Sequence, residues 1–405
     1  MANGPVETSQ PNLDGMARSH LTLAALATAA VPGVDVVAAR TYSLGEQGDF
    51  DSALLTTRDG RELVIRVPTS QSAETEQSAD LIALRALTTG VRSRLPFDVP
   101  GYLGQAPISG TRAVVYDFLP GDKVSVQSIG AADGLAASIG TSIAAIHGLT
   151  TAFVAEAGLP SRSAAECRQS TVTLVGRAAD TGRVPASLVR RWEQATDDDG
   201  LWQFTPTVVN GALSADSFLV RGATVAGIIG WGSLQVGDPA KDLHWLLAAH
   251  PESTESAMGS YLAGRGLGSD AQVSQRAMLY AELELARWLL HGLDTHNEGI
   301  VDDAVQMLDG LVDTVHSDVM NPLSPPTGPV LTVDAVEALL DSTPRGRTAP
   351  DASHLHTDSY DRSEFENGLA AFESEFDSER PDDAASDGSS STNTDPHADR
   401  RSSSE

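Results

Sequence analysis

The chain reads as an α+β protein of two lobes, a small antiparallel sheet carrying one helix and a larger helical part, followed by an acidic tail. Three observations predict this. Short alternating apolar runs separated by turn residues fill much of 34–121, apolar faces at helical spacing recur through 138–315, and a Gly-rich pair of short apolar runs interrupts those helices at 208–229.

Residues 1–18 are polar, contain Pro and Gly, and read as a flexible N-terminus. Ser19 is placed to cap a helix over 20–30, which Pro32-Gly33 ends. Strands follow over 34–42, 50–57 and 62–67, the last two joined by the hairpin pair Asp59-Gly60. The connection at 43–49 holds Gly45 and Gly48, which turn chemistry explains, and Glu46 and Asp49 there would repel an anion. Arg66 stands at the end of the third strand; pointing inward it would need a carboxylate, because an unpaired buried charge is costly. The helix over 72–87 supplies two candidates on one side, Glu76 and Asp80, while Leu81, Leu84 and Leu87 form its apolar face. An apolar strand over 113–119 then runs into Pro120-Gly121, which closes a first lobe spanning 19–121.

The second lobe, 122–320, is helical. A helix over 138–149 ends near His147, whose expected role is packing or capping, since no acid or nucleophile stands beside it in sequence. Breaks at 158–160 and 182–185 divide the helical region 154–205, where Trp192 and Trp202 read as core anchors. Further helices are expected over 252–267, 273–293 and 302–315, the second with Leu279, Leu283, Ala286 and Leu290 on one face. Pro322, Pro325, Pro326 and Pro329 mark a linker over 321–343. Residues 344–405 have the Ser/Asp-rich composition of a disordered acidic tail. Within it Phe365, Leu369, Phe372 and Phe376 make one apolar stripe among acids, so that 364–376 could dock as a helix in a partner protein's groove.

The formal net charge is -28, and the 55 residues from 351 onward hold fifteen acids against four arginines. Such a surface repels phosphate backbones and anionic lipid, so neither nucleic acid nor membrane is an expected partner. Cys167 is the single cysteine, which excludes an internal disulfide and a cysteine-based zinc site and fits a reducing compartment. With no signal-type or membrane-spanning run, the expected location is the cytoplasm.

The stretch 208–247 reads VVNGALSADSFLVRGATVAGIIGWGSLQVGDPAKDLHWLL. It resembles the catalytic and metal loops of the aminoglycoside and macrolide phosphotransferases, relatives of choline kinases and protein kinases, whose pattern runs H-G-D-x-x-x-x-N, a strand, I-D-W, then G-D-P-x-x-D-L. Gly211, Leu213, Trp231, Gly237, Asp238, Pro239, Asp242 and Leu243 stand where that pattern has them. The resemblance implies a bilobal protein-kinase-like phosphotransferase fold. In the family the Asp of H-G-D orients or deprotonates the substrate hydroxyl, and the Asn with the Asp of I-D-W holds magnesium against the nucleotide phosphates. Here those positions read Asn210-Gly211-Ala212, Ser217 and Gly230, so both catalytic carboxylates are absent.

By the same resemblance Arg66 occupies the place of the strand lysine that touches phosphates and pairs with a helix acid, here Glu76 or Asp80. Tyr116, Asp117, Phe118 and Leu119 occupy the hinge, whose backbone hydrogen-bonds adenine in kinase relatives. The implied protein is a pseudokinase that binds a nucleotide such as ATP, a small molecule or a protein, with no metal-holding residue and no expected use of magnesium. Two alternatives stay open. One is an active ATP-dependent small-molecule phosphotransferase with rewired metal ligands, Asp216 or else Asp238 and Asp242; the other is an interaction protein that works through its acidic tail.

Overall fold

The computed structural model describes residues 18–42, 49–130, 134–266, 270–317 and 323; the turn glycines Gly45 and Gly48 and the apolar stripe at 364–376 lie outside them. Ser19 Oγ accepts the Thr22 N–H at 3.2 Å and so caps α1 (His20–Ala30). The chain then runs through β1 (Val36–Thr41), β2 (Phe50–Thr57) and β3 (Glu62–Pro68), an antiparallel meander whose second turn rests on Gly60 at φ +83°. After α2 (Gln71–Ala86), capped by Ser70, and the short α3 (Thr89–Arg92), β4 (Tyr102–Ile108) and β5 (Thr111–Asp117) complete a five-stranded sheet ordered β1-β2-β3-β5-β4.

Strand alternation sorts this sheet into two faces. Leu63, Ile65 and Val67 of β3 and Ala113 and Val115 of β5 bury against Leu23 and Ala27 of α1. The opposite face carries Val114 and Tyr116, which join the core of the second lobe through Leu81 and Leu84 of α2. The register sets Arg66 beside Ser52 on one side and Val114 on the other, which puts its side chain on the α2 face.

β6 (Asp122–Lys123) crosses into the second lobe. There follow α4 (Leu135–His147), α5 (Ala152–Glu156), α6 (Ala164–Asp180) and α7 (Ala186–Asp197), then β7 (Thr207–Val209), β8 (Phe218–Arg221), β9 (Thr224–Ile228) and β10 (Gln235–Gly237), and finally α8 (Pro251–Arg265), α9 (Val273–Asp294) and α10 (Glu298–Ser317). α4 and α8 approach so closely that a Cβ at Gly140 would lie 2.0 Å from the Ala257 carbonyl oxygen. Trp192, Phe218, Trp231 and Tyr280 are fully buried, and Trp202 is nearly so. The Trp192 indole N–H donates to Glu282 at 2.8 Å, which satisfies its one polar atom inside the core. The lobes are stitched together by Asp98, whose N–H donates to Ala226 at 2.9 Å and whose carbonyl accepts the Ile228 N–H at 3.0 Å.

The apolar run after Gly237-Asp238-Pro239 forms two 3-10 turns, Pro239–Asp242 and His244–Ala248. Asp238 and Asp242, at either end of the first turn, are both held by side chains or amides of distant elements, and that anchoring sets the path of the chain.

Candidate functional site

A cleft of about 2000 Å³ opens between the lobes, with Arg66, Asp80 and Tyr116 on one wall and Ala212, Asp216 and Gly230 on the other. Glu76, Asp117, Phe118, Leu119 and Ser217 also line it, so the candidates named from the sequence reach the cleft except Asn210, Asp238 and Asp242. Asn210 is fully buried behind it.

The lower wall is built on two short paired strands. β7 and β10 are antiparallel with Val209 opposite Gln235, and the chain leaves β7 through Asn210 and Gly211. Gly211 adopts φ +87°, and a Cβ there would meet the Ser233 carbonyl oxygen at 2.5 Å, so only glycine fits. The Asp242 carboxylate accepts the Asn210 and Gly211 N–H groups, each at 2.7 Å, and pairs with His147 Nε2 at 3.1 Å. His147 Nδ1 in turn meets Tyr261 Oη at 3.0 Å. His147 is thus a buried bridge between Tyr261 and an acid that sequence proximity could not reveal. Asn210 ties the two loops to each other: its Nδ2 donates to the Gly230 carbonyl at 2.9 Å and its Oδ1 accepts the Ala212 N–H at 3.3 Å.

These bonds correct one of the rewired-ligand alternatives. Asp242 is fully buried and committed to the loop, and Asp238 is fully buried in an ion pair with Arg276 at 2.8 Å, with Tyr280 Oη donating to it at 3.0 Å. Neither lines the cleft, so neither can reach a metal there. Asp216 remains, exposed on the 3-10 turn Ala215–Ser217. Ser217 is buried, and its Oγ accepts the Ser214 N–H at 3.2 Å.

Across the cleft, Arg66 forms no ion pair with Glu76, Asp80 or any other acid among the described residues. Its guanidinium lies 3.8 Å over the Phe50 ring, and its Nε is buried with no hydrogen-bond partner. Asp80 turns to the other loop, where its Oδ1 accepts the Trp231 N–H at 2.7 Å. Gly232 sits directly against α2, 3.4 Å from the Glu76 carbonyl oxygen measured from a Cβ placed on it. Tyr116 Oη is a second buried polar atom with no partner on this wall. Burial raises the Tyr116 phenol pKa and the nearby Asp80 charge raises it further, so it stays a neutral donor. Sequence reasoning missed Phe50 and the Trp231 amide; the pairing of Phe50 with Pro68, two residues past Arg66, was the available signal for the first.

At the hinge, the Asp117 N–H donates to Gly101 at 2.9 Å and the Phe118 N–H to Glu62 at 3.2 Å. The Asp117 and Phe118 amides are therefore engaged inside the sheet, and Tyr116 stands opposite Val64 in the ladder. Phe118 also meets Tyr42 edge to face at 5.9 Å, which gives the cleft an aromatic end.

Burial lifts the Asp80 carboxyl above its ordinary pKa, with the Trp231 amide and the Arg66 charge opposing it. The folded pKa is raised, so Asp80 costs nothing well below the ordinary carboxylate range, where it is protonated folded or unfolded, and destabilises progressively more as pH climbs through the interval up to the raised value. Asp80→Asn keeps an acceptor for Trp231 and removes the charge. It is expected to raise the melting temperature at neutral pH, with the gain over wild type shrinking to nothing as pH falls below about 4, which a pH series of melts would read.

Residues 43–280 match the phosphotransferase enzyme family. The chain belongs to that family. Over 209 residues it is 25% identical to the uncharacterized protein YcbJ of Bacillus subtilis (strain 168), covering 49% of this chain and 67% of that relative. Among solved structures, the macrolide 2'-phosphotransferase MphH from Brachybacterium faecium, an apoenzyme, superposes with a TM-score of 0.60 at 23% identity, over 72% of this chain and 98% of its own. The GDP complex of wild-type aminoglycoside 2'-phosphotransferase-IIIa superposes with a TM-score of 0.59 at 20% identity, over 72% of this chain and 98% of its own. These likenesses establish the kinase-like phosphotransferase fold of this family member, an N-terminal antiparallel sheet on a helical C-terminal part.

Proposed function

We propose that this phosphotransferase-family protein has lost phosphoryl transfer and acts by binding a nucleotide or small molecule in the interlobe cleft. The observation that carries this reading is the chemistry of the lower wall: the positions matching base and metal ligands are Ala212, Ser217 and Gly230, and none offers a carboxylate. Acceleration of phosphoryl transfer rests on positioning and on electrostatic stabilisation, and both need those groups. The upper wall, by contrast, keeps a binding surface: Arg66 Nε and Tyr116 Oη are buried donors with nothing to bind, which is costly unless a ligand takes them. The GDP held by a relative of the same fold supports a nucleotide as the occupant.

Asp216 favours a second reading, an active phosphotransferase with a relocated metal ligand, because it is an exposed carboxylate in the same cleft. Calorimetry with ATP, GTP and GDP separates the two. We expect nucleotide affinity to be weak, in the range of tens of micromolar or above, and unchanged within about threefold by magnesium. Micromolar affinity that requires magnesium, together with ATP-dependent phosphorylation of a macrolide or aminoglycoside abolished by Asp216→Ala, would establish the rewired enzyme instead.

A further inference from the structure

A second cavity, about 590 Å³, lies in the C-terminal lobe among Phe204, Thr207, Tyr261, Leu262, Arg265 and Val273, and none of these residues lines the interlobe cleft. Its volume is that of a small-molecule site. Two of its polar groups have unspent capacity. Thr207, at the start of β7, is 8% exposed, and its Oγ1 is buried without a hydrogen-bond partner. Arg265, at the C-terminal end of α8, makes no hydrogen bond or ion pair among the described residues. The remaining charge at the rim is spent: Asp270 is bound to the Arg276 guanidinium, which also holds Asp238. Phe204, Leu262 and Val273 supply apolar walls, and Phe204 is kept in place by Arg276, whose guanidinium carbon lies 4.1 Å from the ring centroid.

We propose that this cavity is a binding site for a small organic carboxylate with an apolar body, and that its occupancy is transmitted to the loop at Asn210 and Gly211. The guanidinium fork of Arg265 matches a carboxylate, the Thr207 hydroxyl gives a second donor, and the apolar walls take the rest of the ligand. A doubly charged phosphate is less suited, because the Asp270 carboxylate also lines the site. The linkage follows from the wall itself. Tyr261 closes one side of the cavity, and its hydroxyl is joined to His147 at 3.0 Å, His147 to Asp242 at 3.1 Å, and Asp242 to the Asn210 and Gly211 amides at 2.7 Å. A ligand that fixes the Tyr261 ring therefore steadies a continuous chain of buried hydrogen bonds ending at the loop just before Ala212, which lines the cleft. This holds whether or not the cleft transfers phosphate.

The test uses benzoate as the probe and benzamide as its uncharged counterpart, titrated into the full chain by calorimetry. Benzoate should bind with a dissociation constant below about 1 mM and benzamide at least tenfold more weakly. Arg265→Gln should weaken benzoate at least tenfold and Thr207→Val about threefold to tenfold, with both variants checked for wild-type melting; if Arg265→Gln does not fold, Arg265→Lys should give an intermediate loss. With benzoate saturating, hydrogen exchange at Asn210 and Gly211 should slow by severalfold. No binding at 20 mM benzoate (about twenty times the expected constant), equal binding of benzoate and benzamide, or wild-type affinity in folded Arg265→Gln would overturn the site. Saturation with unchanged exchange at those two amides would overturn the linkage.

Discussion

Replacing Arg276 by methionine is expected to cost about 3 to 5 kcal/mol of stability, a large fraction of what holds a domain folded. Arg276 is fully buried, and it donates to Asp238 at 2.8 and 3.1 Å and to the Leu201 carbonyl at 2.9 Å, besides its contact with Asp270. Burial by itself would lower its pKa, but the Asp238 and Asp270 carboxylates more than reverse that and keep it charged. Methionine fills similar space and donates no such bonds. Asp238 would be left as a buried anion with only the Tyr280 hydroxyl and the Ala240 N–H, at 3.0 and 2.9 Å, to hold it. Urea unfolding followed by tryptophan fluorescence measures the loss. Adding Asp238→Asn should recover a substantial part of it, because that change removes the stranded charge while its amide can still accept from Ala240. A single variant within about 0.5 kcal/mol of wild type would show that the pair contributes little beyond its own desolvation cost.

That ion pair also shows where sequence reading stops. The meander β1 to β3, the capped helices α1 and α2, and the long helices α8 to α10 are local events, written in alternation, capping residues and helical spacing, and they appear where those signals stand. Gly211 could be placed by motif, yet the reason for it is the Ser233 carbonyl on another strand. The partners of Asp238 and Asp242 lie on α9 and at the end of α4, and no spacing rule links them. Asp238 could be read as a cap before Pro239, and it is one, but the same carboxylate also closes the buried pair that denies it to any metal. Arg66 failed differently. An inward arginine was expected to take a helix acid, whereas an aromatic face from β2 meets the guanidinium and a backbone amide takes Asp80. A sequence shows that a charge must be compensated; which group compensates it depends on a few tenths of a nanometre of packing.

The geometry of the lower wall makes the proposed loss of a metal site open to direct reversal. Gly230→Asp combined with Ser217→Asn is expected to give the protein a magnesium dependence of nucleotide affinity of about tenfold or more, near 1.4 kcal/mol, where wild type is expected to change by no more than about threefold. Gly230 has φ +75° and no atom within 4 Å of where a Cβ would stand, so a side chain has room there. Asp is among the few residues that tolerate that left-handed conformation, so the backbone need not move. The loop is also held from outside by Trp231, through its N–H to Asp80 at 2.7 Å, and by Asn210, through the Gly230 carbonyl at 2.9 Å. At position 217 a carboxamide can keep the bond that the serine hydroxyl accepts from Ser214 at 3.2 Å while presenting an oxygen to a cation. Turnover is a separate matter. Ala212 would still offer a methyl group where a proton must be taken or a hydroxyl oriented, so the double variant should bind magnesium-nucleotide without phosphorylating a macrolide or aminoglycoside. Adding Ala212→Asp should produce at most partial activity, because Asn210 still holds the 212 amide in its present place at 3.3 Å. Calorimetry with and without magnesium on wild type and the double variant reads the first claim. Equal magnesium dependence in both would mean that Asp216 or another group already holds the ion, and the pseudokinase reading would fall with that result.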